Sequence, residues 1–205
     1  YLNQYLLQVH ATLKNGGYFV IRKRRLENYR EMLEAKFPNY IATLLYIIHF
    51  GWHRVCPKLP FLNRLYFVLS KGKKRVVTRA EFIGRLYFCG FKLIKFKRVG
   101  DSHWFIAQKL TTPIVEQNPS YGPFITLKRI GYQGALIDVY KFRTMHPYAE
   151  FLQQYVYETN ALDESGKFNK DFRLTQWGKV LRKYWLDELP QLFNYFKGDL
   201  RFLGV

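Results

Sequence analysis

The chain has 205 residues, with 33 Lys+Arg against 15 Asp+Glu, a formal net charge of +18, and 48% hydrophobic and 19% aromatic content. That length allows one or two domains with a sizeable core, and the apolar fraction excludes a disordered chain. Two cysteines, Cys56 and Cys89, exclude a disulfide scaffold and a four-thiolate metal site.

Residue 1 is Tyr and no stretch reads as a signal peptide, so the sequence is expected to begin inside a longer protein. The charge is uneven. Residues 1–112 hold 21 Lys+Arg and 5 Asp+Glu, whereas residues 113–205 hold 12 and 10. Such asymmetry implies two units with different partners, and a basic, aromatic-rich half suits nucleic acid or an anionic membrane surface.

In chain order, Leu6 to Val9 begin a helix, Asn15-Gly16-Gly17 is a turn, and the apolar run Tyr18 to Ile21 reads as a buried strand. Residues 26–36 are helix-forming. The longest run without Asp, Glu, Lys or Arg, Phe37 to His53, has an apolar heart of about Ile41 to Phe50. A spanning helix needs roughly 20 apolar residues. This run could be a buried helix, enter one leaflet or lie in the interface. Residues 54–70 then alternate cations with large apolar groups and lead into Lys71-Gly-Lys-Lys-Arg75, a pattern suited to anionic lipid. Thr78 and Glu81 form a capping-box pattern for a helix to about Cys89, ended by Gly90. Phe91 to Val99 and Trp104 to Lys109 read as a hairpin around Gly100-Asp101-Ser102.

Residues 113–123 form a linker of prolines and small polar groups. Beyond it, Phe124 to Arg129 and Leu136 to Met145 are expected strands, with Lys141 and Arg143 on one face. A helix follows at about 147–159, then a polar loop, Asp163-Glu-Ser-Gly-Lys. Thr175 caps a helix through Lys183, and Pro190 opens another to about Phe196.

Asp187-Glu188 precedes that last helix, where free amides and the dipole favour anions. A lone acidic pair there is usually structural. Here Arg173, Lys179, Arg182 and Lys183 lie upstream, with Lys141 and Arg143 on the strand. Two carboxylates among several cations form a site that could hold Mg²⁺ together with a pyrophosphate, since Mg²⁺ takes one or two carboxylates plus substrate phosphates. A carboxylate can also attack phosphorus directly.

Two resemblances follow from these strings. Leu13-Lys-Asn-Gly-Gly-Tyr-Phe-Val-Ile21, Thr78-Arg-Ala-Glu-Phe-Ile-Gly-Arg-Leu-Tyr-Phe-Cys-Gly-Phe91 and the hairpin closing on Trp104-Phe-Ile-Ala-Gln-Lys109 resemble the C-terminal part of a class I methyltransferase fold. No GxGxG loop accompanies them, so a fold remnant is implied and methyl transfer is not. Lys141-Phe-Arg-Thr-Met145, Asp171-Phe-Arg-Leu-Thr175, Gly178, Leu181-Arg182, Leu186-Asp-Glu-Leu-Pro-Gln-Leu192, Asn194 and Lys197-Gly-Asp-Leu200 through Leu203-Gly-Val205 are similar to the bacterial sugar transferases, the monotopic phosphoglycosyl transferases. Lys-Arg-Ile-Gly at 128–131 fits the same pattern.

The second resemblance implies transfer of a sugar 1-phosphate from a nucleotide diphosphate sugar, such as a UDP-sugar, to polyprenyl phosphate. That step initiates lipid-linked exopolysaccharide, capsule or O-antigen assembly at the cytoplasmic face of the bacterial inner membrane. It implies Asp187 as nucleophile, forming a phosphosugar-aspartate, with Glu188 helping to hold Mg²⁺. Lys141, Arg143, Arg173 and Arg182 are implied substrate contacts, although each of the last two could instead pair with Asp171 or Asp187.

The expected fold is α+β. A partial Rossmann-like α/β segment at 1–112, with a basic, potentially membrane-interfacial insertion at 37–75, precedes the linker and a small catalytic domain at 124–205. That domain is expected to be truncated at its C-terminus, and the family's apolar helix directly before it is missing. The alternative function is a non-catalytic membrane-binding or assembly module. No recognised nucleic-acid motif is present, so nucleic acid is not an expected partner.

Overall fold

A computed structural model describes residues 2–24, 27–59, 61–71, 77–100, 102–114, 119, 121–159 and 171–201. The Asp163–Lys167 loop and most of the Lys71–Arg75 run lie outside the described residues. The protein is α+β.

Helix α1 (Leu2–Thr12) leads through Gly16, which has φ +78°, into β1 (Tyr18–Arg24). Helix α5 (Arg79–Phe88) is capped as its sequence predicts: Thr78 Oγ1 accepts from the Glu81 amide, and Gly90 leaves the helix at φ +84°. Strands β2 (Phe91–Val99) and β3 (Ser102–Lys109) follow as a hairpin. The sheet order is β1-β3-β2, antiparallel throughout, with Val20 opposite Ile106 and Phe96 opposite Phe105.

Tyr18 to Ile21 is not the buried strand its composition suggests. β1 is an edge strand, and Tyr18 and Val20 point to solvent while Phe19 and Ile21 pack inward. Four consecutive apolar residues hide a period-two strand because one face is uncovered.

Between β1 and α5 lie α2 (Glu27–Glu34), α3 (Asn39–Phe50) and α4 (Leu62–Ser70). A π turn at Gly51–Val55 and a 3₁₀ turn at Cys56–Lys58 continue α3 toward α4.

The main core lies under the first sheet. Leu6, Phe82, Leu86, Phe91 and Phe105 pack together, and Tyr148, Leu152 and Val156 from beyond the linker enter the same cluster. Gly84 permits this joint, because a Cβ there would lie 2.2 Å from the Tyr148 carbonyl oxygen. A buried ion pair, Arg85–Glu81 at 2.8 Å, sits at the seam. Tyr121 donates to Glu81 (3.0 Å), and Arg85 donates to Asn3 and Tyr148. The Glu81 carboxylate thus serves both Arg85 and Tyr121.

The second sheet is the antiparallel pair β4 (Phe124–Ile130) and β5 (Leu136–Phe142). The expected 147–159 helix is a 3₁₀ turn (Ala149–Leu152) that runs into α6 (Gln153–Thr159). Helix α7 (Gln176–Lys183) has Thr175 Oγ1 accepting from the Gly178 amide at 2.8 Å. Helix α8 (Gln191–Lys197) follows Pro190 and ends at Gly198, φ +80°.

Candidate functional site

The site assembles on β5, a 3₁₀ turn and the head of α8. The turn is Leu186–Glu188 and carries the acidic pair directly before α8. Trp185, just upstream, is held at φ +57°. A bulky residue in that region costs energy, so the joint beside the acidic pair is strained.

One residue sets the distance between α8 and β5. Asn194 is fully buried. Its Oδ1 accepts from the Tyr140 amide (3.0 Å), and its Nδ2 donates to the Asp138 carbonyl (2.5 Å) and to Asp199 Oδ2 (3.1 Å). β5 pairs with β4 along its other edge. The Asn194 amide thus presents one donor and one acceptor to the open edge of β5, as a neighbouring strand would. The Asn194 bond and the Lys197 ion pair hold the Asp199 carboxyl below the usual carboxylate range. Sequence reasoning gave Asn194 no role. The available signal was an Asn inside the apolar stretch Leu192-Phe-Asn-Tyr-Phe196.

With α8 fixed, Lys141 reaches across to Glu188, Nζ to Oε1 at 2.5 Å, and both groups are partly exposed. Asp187 is half-buried and makes no side-chain hydrogen bond or ion pair among the described residues. The two carboxylates therefore have different environments: one is neutralised by a lysine, and the other is uncommitted. Among the described residues no group of three or more His, Cys, Asp or Glu could hold a metal. A cation at the pair would thus have two hard oxygen donors from the chain and would need the rest from phosphate and water. That donor set fits Mg²⁺ better than softer metals.

The hydrogen bonds described for the other expected contact residues go to other groups. β5 ends at Phe142, so the alternation that would align Arg143 with Lys141 stops one residue short. Arg143 Nε donates to the Gly122 carbonyl at 2.7 Å. Burial lowers its pKa, opposed by the charges of Glu150 and Glu81, which places it near the seam between the two halves. Arg173 is 4% exposed and pairs in a fork with Asp171 (Nη2–Oδ2 2.7 Å, Nε–Oδ1 2.9 Å) while Nη1 donates to Gln153. The pairing with Asp171 expected as one possibility for Arg173 is formed. Burial pushes the Asp171 carboxyl up, but the Arg173 hydrogen bonds and the charges of Arg173 and Arg182 outweigh it and leave it below its ordinary value. Arg182 is exposed and donates from Nε to Thr144 Oγ1 at 3.0 Å. It lies on the Asp171 side of α7.

Thr144 is the anchor between these parts. Its carbonyl accepts from the Thr175 amide and from Thr175 Oγ1, both at 2.9 Å. Gly178 lies so close that a Cβ there would be 2.0 Å from the same oxygen. On α7, α8 and the segment between them, which carries the acidic pair, Trp177, Tyr184, Trp185, Phe193 and Phe196 are all exposed. Exposed aromatic groups on the elements that carry two carboxylates suit a substrate with a charged head and an apolar tail.

The chain is similar to several known proteins. The galactosyl transferase CpsE of Streptococcus agalactiae serotype III is 38% identical over 86 residues, 41% of this chain and 19% of its own length. The undecaprenyl-phosphate galactose phosphotransferase of Salmonella typhimurium is 35% identical over 82 residues, 38% of this chain and 17% of its own. The exopolysaccharide production protein ExoY of Sinorhizobium fredii is 39% identical over 82 residues, 38% and 36% respectively. The chain therefore matches well under half of each relative's length. A family model described as bacterial sugar transferase matches residues 103–205, which is half of the chain and includes β4, β5, α7, the Asp187–Glu188 turn and α8. The protein belongs to the bacterial sugar transferase family.

Proposed function

We propose that the protein transfers a sugar 1-phosphate from a nucleotide diphosphate sugar, a UDP-sugar in the simplest case, to polyprenyl phosphate at the cytoplasmic face of a bacterial inner membrane, starting a lipid-linked glycan. The observation that carries this reading is the asymmetry of the acidic pair: Glu188 is held by Lys141, and Asp187 is left without a partner among the described residues. The named activity of the Salmonella relative, an undecaprenyl-phosphate galactose phosphotransferase, supports the reaction class.

In this reading a carboxylate oxygen of Asp187 attacks the phosphorus that bears the sugar. The bond from that phosphorus to the bridging oxygen breaks, and nucleoside monophosphate leaves with the electron pair. A phosphate oxygen of the polyprenyl acceptor then attacks the same phosphorus and releases the Asp187 carboxylate. The products are polyprenyl diphosphate sugar and nucleoside monophosphate. Such transfer depends on positioning and on charge stabilisation at the phosphoryl oxygens. Mg²⁺, held by Asp187 and Glu188 when bound, would neutralise phosphate charge. Lys141 orients Glu188 and adds a positive charge beside it, while the exposed aromatic groups on α7, α8 and the segment between them receive the acceptor's apolar chain.

The test is release of nucleoside monophosphate by the full-length protein in detergent, with polyprenyl phosphate, Mg²⁺ and a panel of nucleotide diphosphate sugars. Release should require the lipid and vanish in Asp187→Asn. Undiminished release in that variant would remove Asp187 from the chemistry. No release from any donor by folded protein would favour a non-catalytic assembly module.

A further inference from the structure

The inner face of the β2–β3 hairpin changes character along its length. Phe96 sits opposite Phe105 and packs on the core. One step further along the same face, Arg98 sits opposite His103. The face thus turns from apolar to cationic as it leaves the core, and there it opens on a cavity of about 460 Å³. That volume falls within the roughly 300–1,000 Å³ of small-molecule sites. Arg79 at the start of α5 and Glu31 of α2 line it as well, and His146 and Phe172 contribute from the other side of the linker.

The lining is held in place from both halves. Arg79 Cζ lies 5.1 Å from the Phe96 ring centroid and 4.7 Å from that of Phe172. A guanidinium engages rings with its faces and donates in its own plane, and its fork of donors matches phosphate oxygens. The His103 ring meets Phe96 edge-on at 5.1 Å. The His146 amide donates to the Arg173 carbonyl at 2.8 Å, which fixes the backbone of that wall.

Three chemistries therefore share one cavity. Two guanidiniums and two imidazoles suit a dianionic phosphate. Phe96 and Phe172 offer apolar ring surface. The Glu31 carboxylate accepts from hydroxyl groups and opposes a second anion. A phosphate monoester with a hydroxylated body has a part for each, whereas a bare anion would use only the first. Among the described residues the lining includes neither Lys141 nor Asp187 nor Glu188. Glu31, Arg79 and Arg98 also precede residue 103, where the match to the sugar transferase family begins. We propose that this cavity is a second binding site, apart from the acidic pair, for a small phosphorylated molecule of the monoester class. It goes beyond the transfer reaction and stands without it.

The experiment is isothermal titration of the full-length protein in detergent, with EDTA present. Glucose 1-phosphate, uridine monophosphate and inorganic phosphate are the separate titrants. At least one ester should bind saturably and more tightly than inorganic phosphate. Arg98→Glu reverses a charge at an exposed position and should weaken that binding roughly tenfold or more. His103→Ala should weaken it as well, and circular dichroism will verify that both variants are folded. Asp187→Asn should bind the ester as wild type does. The ester should raise the Tm of wild type and leave that of Arg98→Glu unchanged. The proposal is overturned if neither ester binds, or if folded Arg98→Glu binds as tightly as wild type. Inorganic phosphate binding as tightly as the esters would overturn the assignment of an ester. Loss of binding in Asp187→Asn would return the ligand to the acidic pair and overturn the second site. None of these readouts uses turnover, so failure of this site and failure of the transferase reading remain separable.

Discussion

Replacing Asn194 with alanine tests how the acidic pair is placed. The substitution removes three side-chain hydrogen bonds from a residue with no solvent exposure. The Tyr140 amide and the Asp138 carbonyl lose their partners on an edge of β5 that α8 covers. Leaving a buried donor or acceptor unsatisfied costs about 1–3 kcal/mol each, and both sites are partly shielded, so a loss of about 2–4 kcal/mol is expected. For a chain of this size each kcal/mol lowers Tm by about 2–4 °C, giving a fall of about 4–16 °C by calorimetry. Asn194→Asp should be at least as damaging, because it removes the donor and sets a carboxylate against Asp199. Activity should fall further than the folded fraction does, since Lys141 and Glu188 face each other across the gap that Asn194 spans. An Asn194→Ala protein melting within about 1 °C of wild type would refute the idea that this amide substitutes for a strand.

Four further outcomes are expected. Asp171 titrates below its unfolded value, so the stability it contributes is present above the ordinary carboxylate pKa near 4 and is lost as the pH falls through the lower folded value. Urea unfolding across that range should therefore show an acid slope that shrinks in Asp171→Asn, and Arg173→Met should lose about 3–5 kcal/mol at neutral pH by stranding a buried carboxylate. Gly178→Ala should cost at least about 1–3 kcal/mol in denaturant melts, because the Thr144 carbonyl cannot yield to a methyl group without releasing the Thr175 cap. Lys141→Met should leave stability within about 1 kcal/mol, since its ion pair is partly exposed, yet should lower turnover of monophosphate release by about 10–100-fold if the lysine orients Glu188.

Features encoded in consecutive residues were readable without coordinates. The Thr78 and Thr175 caps, the Gly16 and Gly90 turns, the 91–109 hairpin and the Asp187–Glu188 turn ahead of a Pro-led helix all follow from short-range chemistry. Features that depend on distant partners were not. Whether Tyr18 to Ile21 is covered depends on sheet order. Whether Arg143 follows Lys141 depends on where β5 stops. Arg173 carried two possible partners in the sequence, and only the 153–173 packing decides between them. Asn194 shows the limit most clearly, since its edge-closing role needs β5 to lack a second strand neighbour, and no local pattern states that.

The shared core has a consequence for synthesis. Phe82, Leu86 and Phe88 present the apolar side of α5, and part of its cover, Tyr148, Leu152 and Val156, lies about 60 residues later in the chain. At about 5–20 residues per second, the ribosome delivers that cover roughly 3–12 s after α5. During that interval α5 and the hairpin beside it hold a sticky, positively charged, unfinished surface. The nascent protein thus passes through a stage in which its own partner is missing and a nearby bilayer or chaperone can occupy the place first.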